Sequence, residues 1–187
     1  MKLAMTAAAM MMTVSGTELK YVVPVSVSAG AEGSASMVIM AKHQVSKMMA
    51  TAGVRIEWLS EIARPRPGVI RITFANQATS AKSATTMAQA KLFEGTNITI
   101  FINRVREKTS RDTAWRVLSH VMAHEITHML QGIDVHAETG IMKAAWGTSD
   151  FASMAYQPLT FEPWDIILMH QGLEKRRAAN TVLASAR

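Results

Sequence analysis

An α/β fold (in the broad sense that includes α+β) with a mixed, twisted sheet of about four to five strands is what this sequence predicts. Three observations point there. Short β-branched segments with alternating character recur between residues 21 and 105. Two longer stretches instead space their apolar residues three and four apart, and a third helix is signalled by Pro163 in its first turn. And the elements alternate as strand, helix, strand, strand, a weaker strand, strand, helix, an irregular segment and a last helix.

The elements follow in order. Tyr21 to Ser28 (YVVPVSVS) is β-branched and partly alternating, a first strand. Gly30 to Gly33 is a loop. From Ser36 to Ala52, residues Val38, Ala41, Val45, Met48, Met49 and Ala52 fall at helical spacing, and Gly53 follows as a stop. Val54 to Leu59 alternates as a second strand, a loop with two prolines follows, and Val69 to Ala75 is a third strand. Residues 76–85 are small and polar, a flexible loop by composition. Met87 to Ala90 is a short edge strand, and Asn97 to Val105 (NITIFINRV) is a further strand.

Thr109 and Asp112 have the spacing of a capping box before a helix from about Arg111 to Gln131, ended by Gly132. Trp115, Leu118, Met122, Ile126 and Met129 give that helix a broad apolar stripe. Glu162-Pro163-Trp164-Asp165 opens the last helix, with Pro163 in its first turn, and it runs to about Arg177.

With 187 residues, 49% hydrophobic and 18% charged, the chain is long and apolar enough for one packed domain, residues 17–178, without a repeat. Residues 179–187 read as a loose tail. Lys2 and the small apolar run after it, ending in Val14-Ser15-Gly16, have the form of a short signal peptide over residues 1–16, hence a secreted or periplasmic protein. The other reading is an N-terminal segment of a cytoplasmic protein. No apolar stretch reaches 18 residues, so stable membrane insertion is not expected. The net charge is +6 and the basic residues are scattered except for Lys175-Arg176-Arg177, read as a solvated helix end. No nucleic-acid motif is present, and a monomer is expected. Without cysteine there is no disulfide and no thiol nucleophile, so a metal would be held by His and carboxylate.

The informative stretch is HEITHMLQGIDVH, residues 124–136. On a helix His124 and His128 stand one turn apart on one face, with Cβ atoms roughly 5–6 Å apart. Two imidazoles so placed can bind one ion, and Glu125 stands beside them, able to take a proton from a water there. A catalytic zinc takes three protein ligands and a water. His136, four residues past Gly132, is the leading third ligand; Asp134, Glu138, Asp150 and Glu162 are its rivals. The plainer alternative is a polar helix face with chance histidines, which would leave a costly buried cluster. His120, one turn before His124, reads as an interior histidine or a neighbour of the ligands, and His43 and His170 as helix surface or packing.

HEITHMLQGIDVHAETGIM resembles the centre of the metzincin zinc metallopeptidases, in which HExxH is followed by a glycine turn, a third histidine and a turn containing methionine. The segment HVMAHE, the HxxxG spacing, the later histidine and Gly140-Ile141-Met142 with Trp146 beyond are also similar to a group of small, uncharacterised bacterial metallopeptidase-like proteins. The likeness touches AGVRIEWL and the strand ending INRV; it spans residues 20–175 and is specific over 120–146. It implies a metzincin-like fold with an active-site helix, a second long helix and a C-terminal helix. It implies one catalytic Zn²⁺ on His124, His128 and His136, Glu125 as general base, and Met142 in the Met-turn. The activity implied is zinc-dependent endopeptidase cleavage of a peptide or protein substrate. A zinc-stabilised peptide-binding domain without hydrolysis and a zinc hydrolase of non-peptide amides remain open beside it. The family pattern is HExxHxxGxxH. Here one extra residue precedes Gly132 and one follows it, so the turn must bulge for His136 to arrive. Thr127 stands where glycine is common, which implies looser packing or a local hydroxyl hydrogen bond.

Overall fold

A computed structural model describes residues 19–28, 34–60, 66–76, 86–92 and 96–185, with side chains to residue 179. The segment expected as signal peptide, the loop expected at 30–33 and all but Asn76 of the loop expected at 76–85 lie outside the described residues.

Five strands form one sheet: β1 (Tyr21–Val27), β2 (Val54–Leu59), β3 (Ile70–Ala75), β4 (Ala88–Lys91) and β5 (Asn97–Phe101). Their order is β2-β1-β3-β5-β4. The first four in that order are mutually parallel, and β4 runs antiparallel to β5 at the edge. A parallel pair needs a long crossover, and α1 (Ala35–Thr51) supplies it between β1 and β2. Ser34 caps α1 by accepting from the Met37 amide at 3.3 Å, and Gly53 at φ 72° turns the chain into β2. The buried positions Met37, Ala41, Val45, Met48 and Met49 form one helical stripe, which packs on a second long helix, α3 (Ala114–Gln131).

The sheet core is Ile70, Ile72, Ile98 and Ile100, all fully buried. Each contributes roughly 1.5–3 kcal/mol of burial free energy. α3 is the hub. Every side chain from Val117 to Gln131 is buried, because α1, the β4–β5 edge and the C-terminal helix α5 (Pro163–Ser185) all pack on it. The α3–α5 contact is so close that a Cβ on Gly172 would stand 1.9 Å from the Leu130 carbonyl oxygen.

Several expectations are corrected. The strand expected to reach Val105 stops at Phe101, and α2 (Ile102–Glu107) takes over. Ile102 and Val105 are three apart and both buried; a helix puts them on one face, whereas a strand would put them on opposite faces. The Thr109–Asp112 capping box does not form. The Thr109 hydroxyl bonds that of Thr113, and α3 begins at Ala114 with no side-chain cap. A helix of about two turns, α4 (Thr148–Met154), occupies part of the segment expected to be irregular. Its start is fixed by Asp150, whose carboxylate accepts from the Gly147 amide at 2.7 Å. α5 continues to Ser185, beyond the expected end near Arg177. Within the basic run Lys175 and Arg177 are exposed, but Arg176 turns inward and donates to the Met129 carbonyl near the end of α3. No helix among the described residues is long and apolar enough to cross a membrane.

Candidate metal centre

α3 carries His124, Glu125 and His128 on the side that faces the antiparallel edge strand. Gly132, at φ 72°, ends the helix in the left-handed conformation, its amide bonded to the His128 carbonyl at 2.9 Å. One extra residue lengthens α3 before Gly132, the other falls in the exposed stretch Ile133-Asp134-Val135, and the chain returns His136 to the helix face. The Nε2 atoms of His124 and His128 stand 3.0 Å apart, and those of His128 and His136 3.3 Å apart. The three histidines form the metal-competent cluster found among the described residues.

The other ring nitrogens fix what those Nε2 atoms are. His124 Nδ1 lies 2.8 Å from the Ile141 carbonyl oxygen, and His128 Nδ1 lies 3.2 Å from that of Ile133. A carbonyl only accepts, so both Nδ1 atoms carry the proton. Burial pulls the His124 pKa down to about 4 and lowers that of His128, which keeps both rings neutral at pH 7. Two Nε2 lone pairs therefore face each other at 3.0 Å with no proton between them. That is repulsive by itself and becomes favourable with a cation at the focus. Four tetrahedral ligands at the usual Zn–N distance stand about 3.3 Å apart, so the donor set and spacing fit zinc.

The rival ligands do not gather. Asp134 Oδ1 is 3.9 Å from His128 Nε2 and its side chain is 76% exposed. Asp150 is held by Lys143 Nζ at 2.7 Å, and Glu162 bonds Thr139. Glu138 is exposed and outside the cluster. His43 is exposed on α1, and His170 packs its ring on Tyr21 while bonding the Ala52 carbonyl at 2.8 Å, both as expected. Thr127 is fully buried and donates to the Ala123 carbonyl at 2.8 Å, the local hydroxyl bond expected where glycine is absent.

Glu125 lies in the same cleft. Burial pushes its carboxyl up to about 8, the nearby Asp134 charge adds to that, and a hydrogen bond from the Ala90 backbone opposes it. That bond ties the glutamate to β4. The cleft, about 740 Å³, runs between β4 and α3, with Met87 to Ala90 on one side and Trp146 and Phe151 at an apolar end. In β4 the Phe101 amide bonds the Met87 carbonyl. Alternation then turns Gln89 toward β5 and leaves the main-chain groups of Ala88 and Ala90 on the free edge.

Met142 is fully buried in the turn that follows His136, its carbonyl accepting from the Ala137 amide at 2.8 Å. Gly140, at φ 73°, makes the turn possible. Trp146 meets the His124 ring edge-on at a centroid distance of 5.6 Å and donates to the Gly140 carbonyl at 3.2 Å. Sequence reasoning missed the Ile141 carbonyl, the Ala90 amide and the chain around Leu159. Main-chain groups carry no residue-type signal.

No family model matches the sequence, and no curated protein does. Among solved structures the fold is similar to that of archaemetzincin from Methanopyrus kandleri, with a TM-score of 0.54 and 12% identity, over 86% of this chain and 98% of that one. At that identity the likeness is one of fold, and the fold is metzincin-like.

Proposed function

We propose that this chain is a zinc-dependent peptidase whose metal ligands are His124, His128 and His136 and whose general base is Glu125. The observation that carries the reading is the convergence of imidazole lone pairs in one open cleft, with a buried carboxyl group beside them. A similarity of fold to archaemetzincin supports it. Bound there, zinc supplies Lewis acidity and makes a water more acidic.

The chain's own residues do the rest. The Ile141 and Ile133 carbonyls hold the His124 and His128 rings in the Nδ1–H tautomer, leaving Nε2 free to ligate. Glu125 takes the proton of the attacking water and delivers it to the leaving amine. The raised value belongs to the metal-free cleft; a divalent cation on the three histidines would pull the Glu125 carboxyl back down and favour the carboxylate that accepts the proton. The free edge of β4 offers the main-chain groups of Ala88 to an extended peptide, which would add as a further strand and lie along the cleft. Met142 fills the floor of the turn that carries the Ile141 carbonyl.

The test is Glu125→Gln. The variant keeps zinc at the wild-type stoichiometry and loses cleavage of a peptide library by about 10²–10⁴-fold. Turnover at the wild-type rate would remove Glu125 from the chemistry. A wild-type protein that binds zinc and peptides without cutting them would be a binding domain, and one that cuts small amides but no peptide would be a hydrolase of non-peptide bonds.

A further inference from the structure

His120 lies one turn before His124 and has no place in the chemistry above, yet both of its ring nitrogens are used. The ring is 1% exposed. Nδ1 is 2.7 Å from the Arg116 carbonyl oxygen, so Nδ1 carries the proton, and Nε2 accepts the Leu159 amide at 2.9 Å. Arg116 is the residue one turn back on the same helix, so the ring's orientation is set within α3. Leu159 is 39 residues away in sequence, in the connection between α4 and α5.

The connection passes this constraint on. The Thr160 carbonyl, next in the chain, accepts the Ile141 amide at 2.9 Å. The Ile141 carbonyl accepts the His124 Nδ1 proton at 2.8 Å. Two further contacts remove slack from this junction. A Cβ on Gly140 would stand 2.3 Å from the Thr160 oxygen, so turn and connection are already in contact. Thr139 donates to Glu162 on the far side. The Trp146 ring meets both imidazoles edge-on, at 6.2 Å from His120 and 5.6 Å from His124.

We infer that His120 is a positioning residue for His124: it anchors the Leu159–Thr160 connection, which fixes Ile141, whose carbonyl sets the tautomer and ring angle of the ligand. The path leaves α3 at His120 and returns to it one turn later at His124. The helix thereby orients its own ligand through a loop that is remote in sequence. The inference rests on the metal reading above, and its test is built to separate the two.

The variants are His120→Leu, His120→Asn and His120→Gln. Glutamine can present an oxygen near the place of Nε2 and so keep the Leu159 amide paired. Asparagine is too short, and leucine offers no acceptor. Zinc affinity is measured by competition with a chromophoric chelator. Exchange of the Ile141 amide and of the His124 Nδ1 proton is followed by NMR on the zinc-free proteins. The leucine and asparagine variants should bind zinc about ten-fold more weakly, the size of a lost outer-sphere partner, while glutamine stays close to wild type. Both protons should exchange faster in the first two. Equal affinity in all four proteins overturns the inference, as does equal weakening in glutamine and leucine, which would mean that ring packing and not the hydrogen bond matters. If the wild type takes up no zinc, the metal reading fails, and unchanged proton exchange in the leucine variant would still decide against the role given to His120.

Discussion

Acid should unfold the metal-free protein partly through His120, and the size of that effect can be worked out. The folded chain uses His120 Nε2 as an acceptor, so protonation breaks its bond to Leu159 and places a charge in the core. Burial lowers its pKa from 6.5 to about 4, against a weaker opposing pull from the Arg116 carbonyl. Between those values the unfolded chain binds a proton that the folded chain does not. Stability therefore rises with pH through this window and falls as pH drops. The contribution is fully present above pH 6.5 and is lost as pH falls through 4. Integrating the two titrations gives about 1.4 kcal/mol lost between pH 7.5 and 5.5, and about 2.5 kcal/mol by pH 4.5. His124 titrates in the same direction, so the assay must be a difference. Urea unfolding of the chelator-treated wild type and of His120→Gln, at the three pH values, isolates the one residue. The glutamine variant should lose less stability on acidification, by about those amounts. Parallel pH profiles for the two proteins would refute the reasoning.

Two further outcomes follow from close packing and from the strand edge. Gly172→Ala gains about 1 kcal/mol in helix propensity. It also drives a Cβ to 1.9 Å from the Leu130 carbonyl, where overpacking costs about 1–3 kcal/mol or more. The clash should win and lower the melting temperature by several degrees; an unchanged or raised value would mean that α5 is not seated on α3 as described. Ala88→Pro removes an amide that points away from β5, so fold and zinc content should survive. A substrate strand would lose one main-chain bond of about 1 kcal/mol, or about five-fold in kcat/KM for peptides. Unaltered peptide kinetics would argue against pairing at this edge.

The parts of the fold that could be read from the sequence are those where one periodicity held for a whole element. β1, α1, β2 and β3 lie within a residue or so of their expected bounds. The HExxH pair was legible because a fixed helical spacing turns sequence separation directly into distance. His136 was legible as a donor type, but its arrival depended on a three-residue exposed bulge that no local pattern specifies. The failures differ in cause: at Ile102 burial of Ile102 and Val105 on one face favours a helix, whereas at Thr113 and at the start of α4 local side-chain hydrogen bonds, Thr109 with Thr113 and Asp150 with the Gly147 amide, set the boundary. The brace behind His124 was out of reach for a different reason. It consists of main-chain amides and carbonyls brought together by tertiary folding, and any sequence supplies those.

The most direct test of the central claim is zinc K-edge X-ray absorption on the zinc-loaded protein, compared with His136→Ala. The account predicts one zinc per chain with three imidazole nitrogens and one further light atom at about 2.0–2.1 Å. In the variant it predicts one fewer imidazole, or no zinc retained. A wild-type protein that binds no zinc, or a site whose imidazole count does not change when His136 is removed, would contradict it.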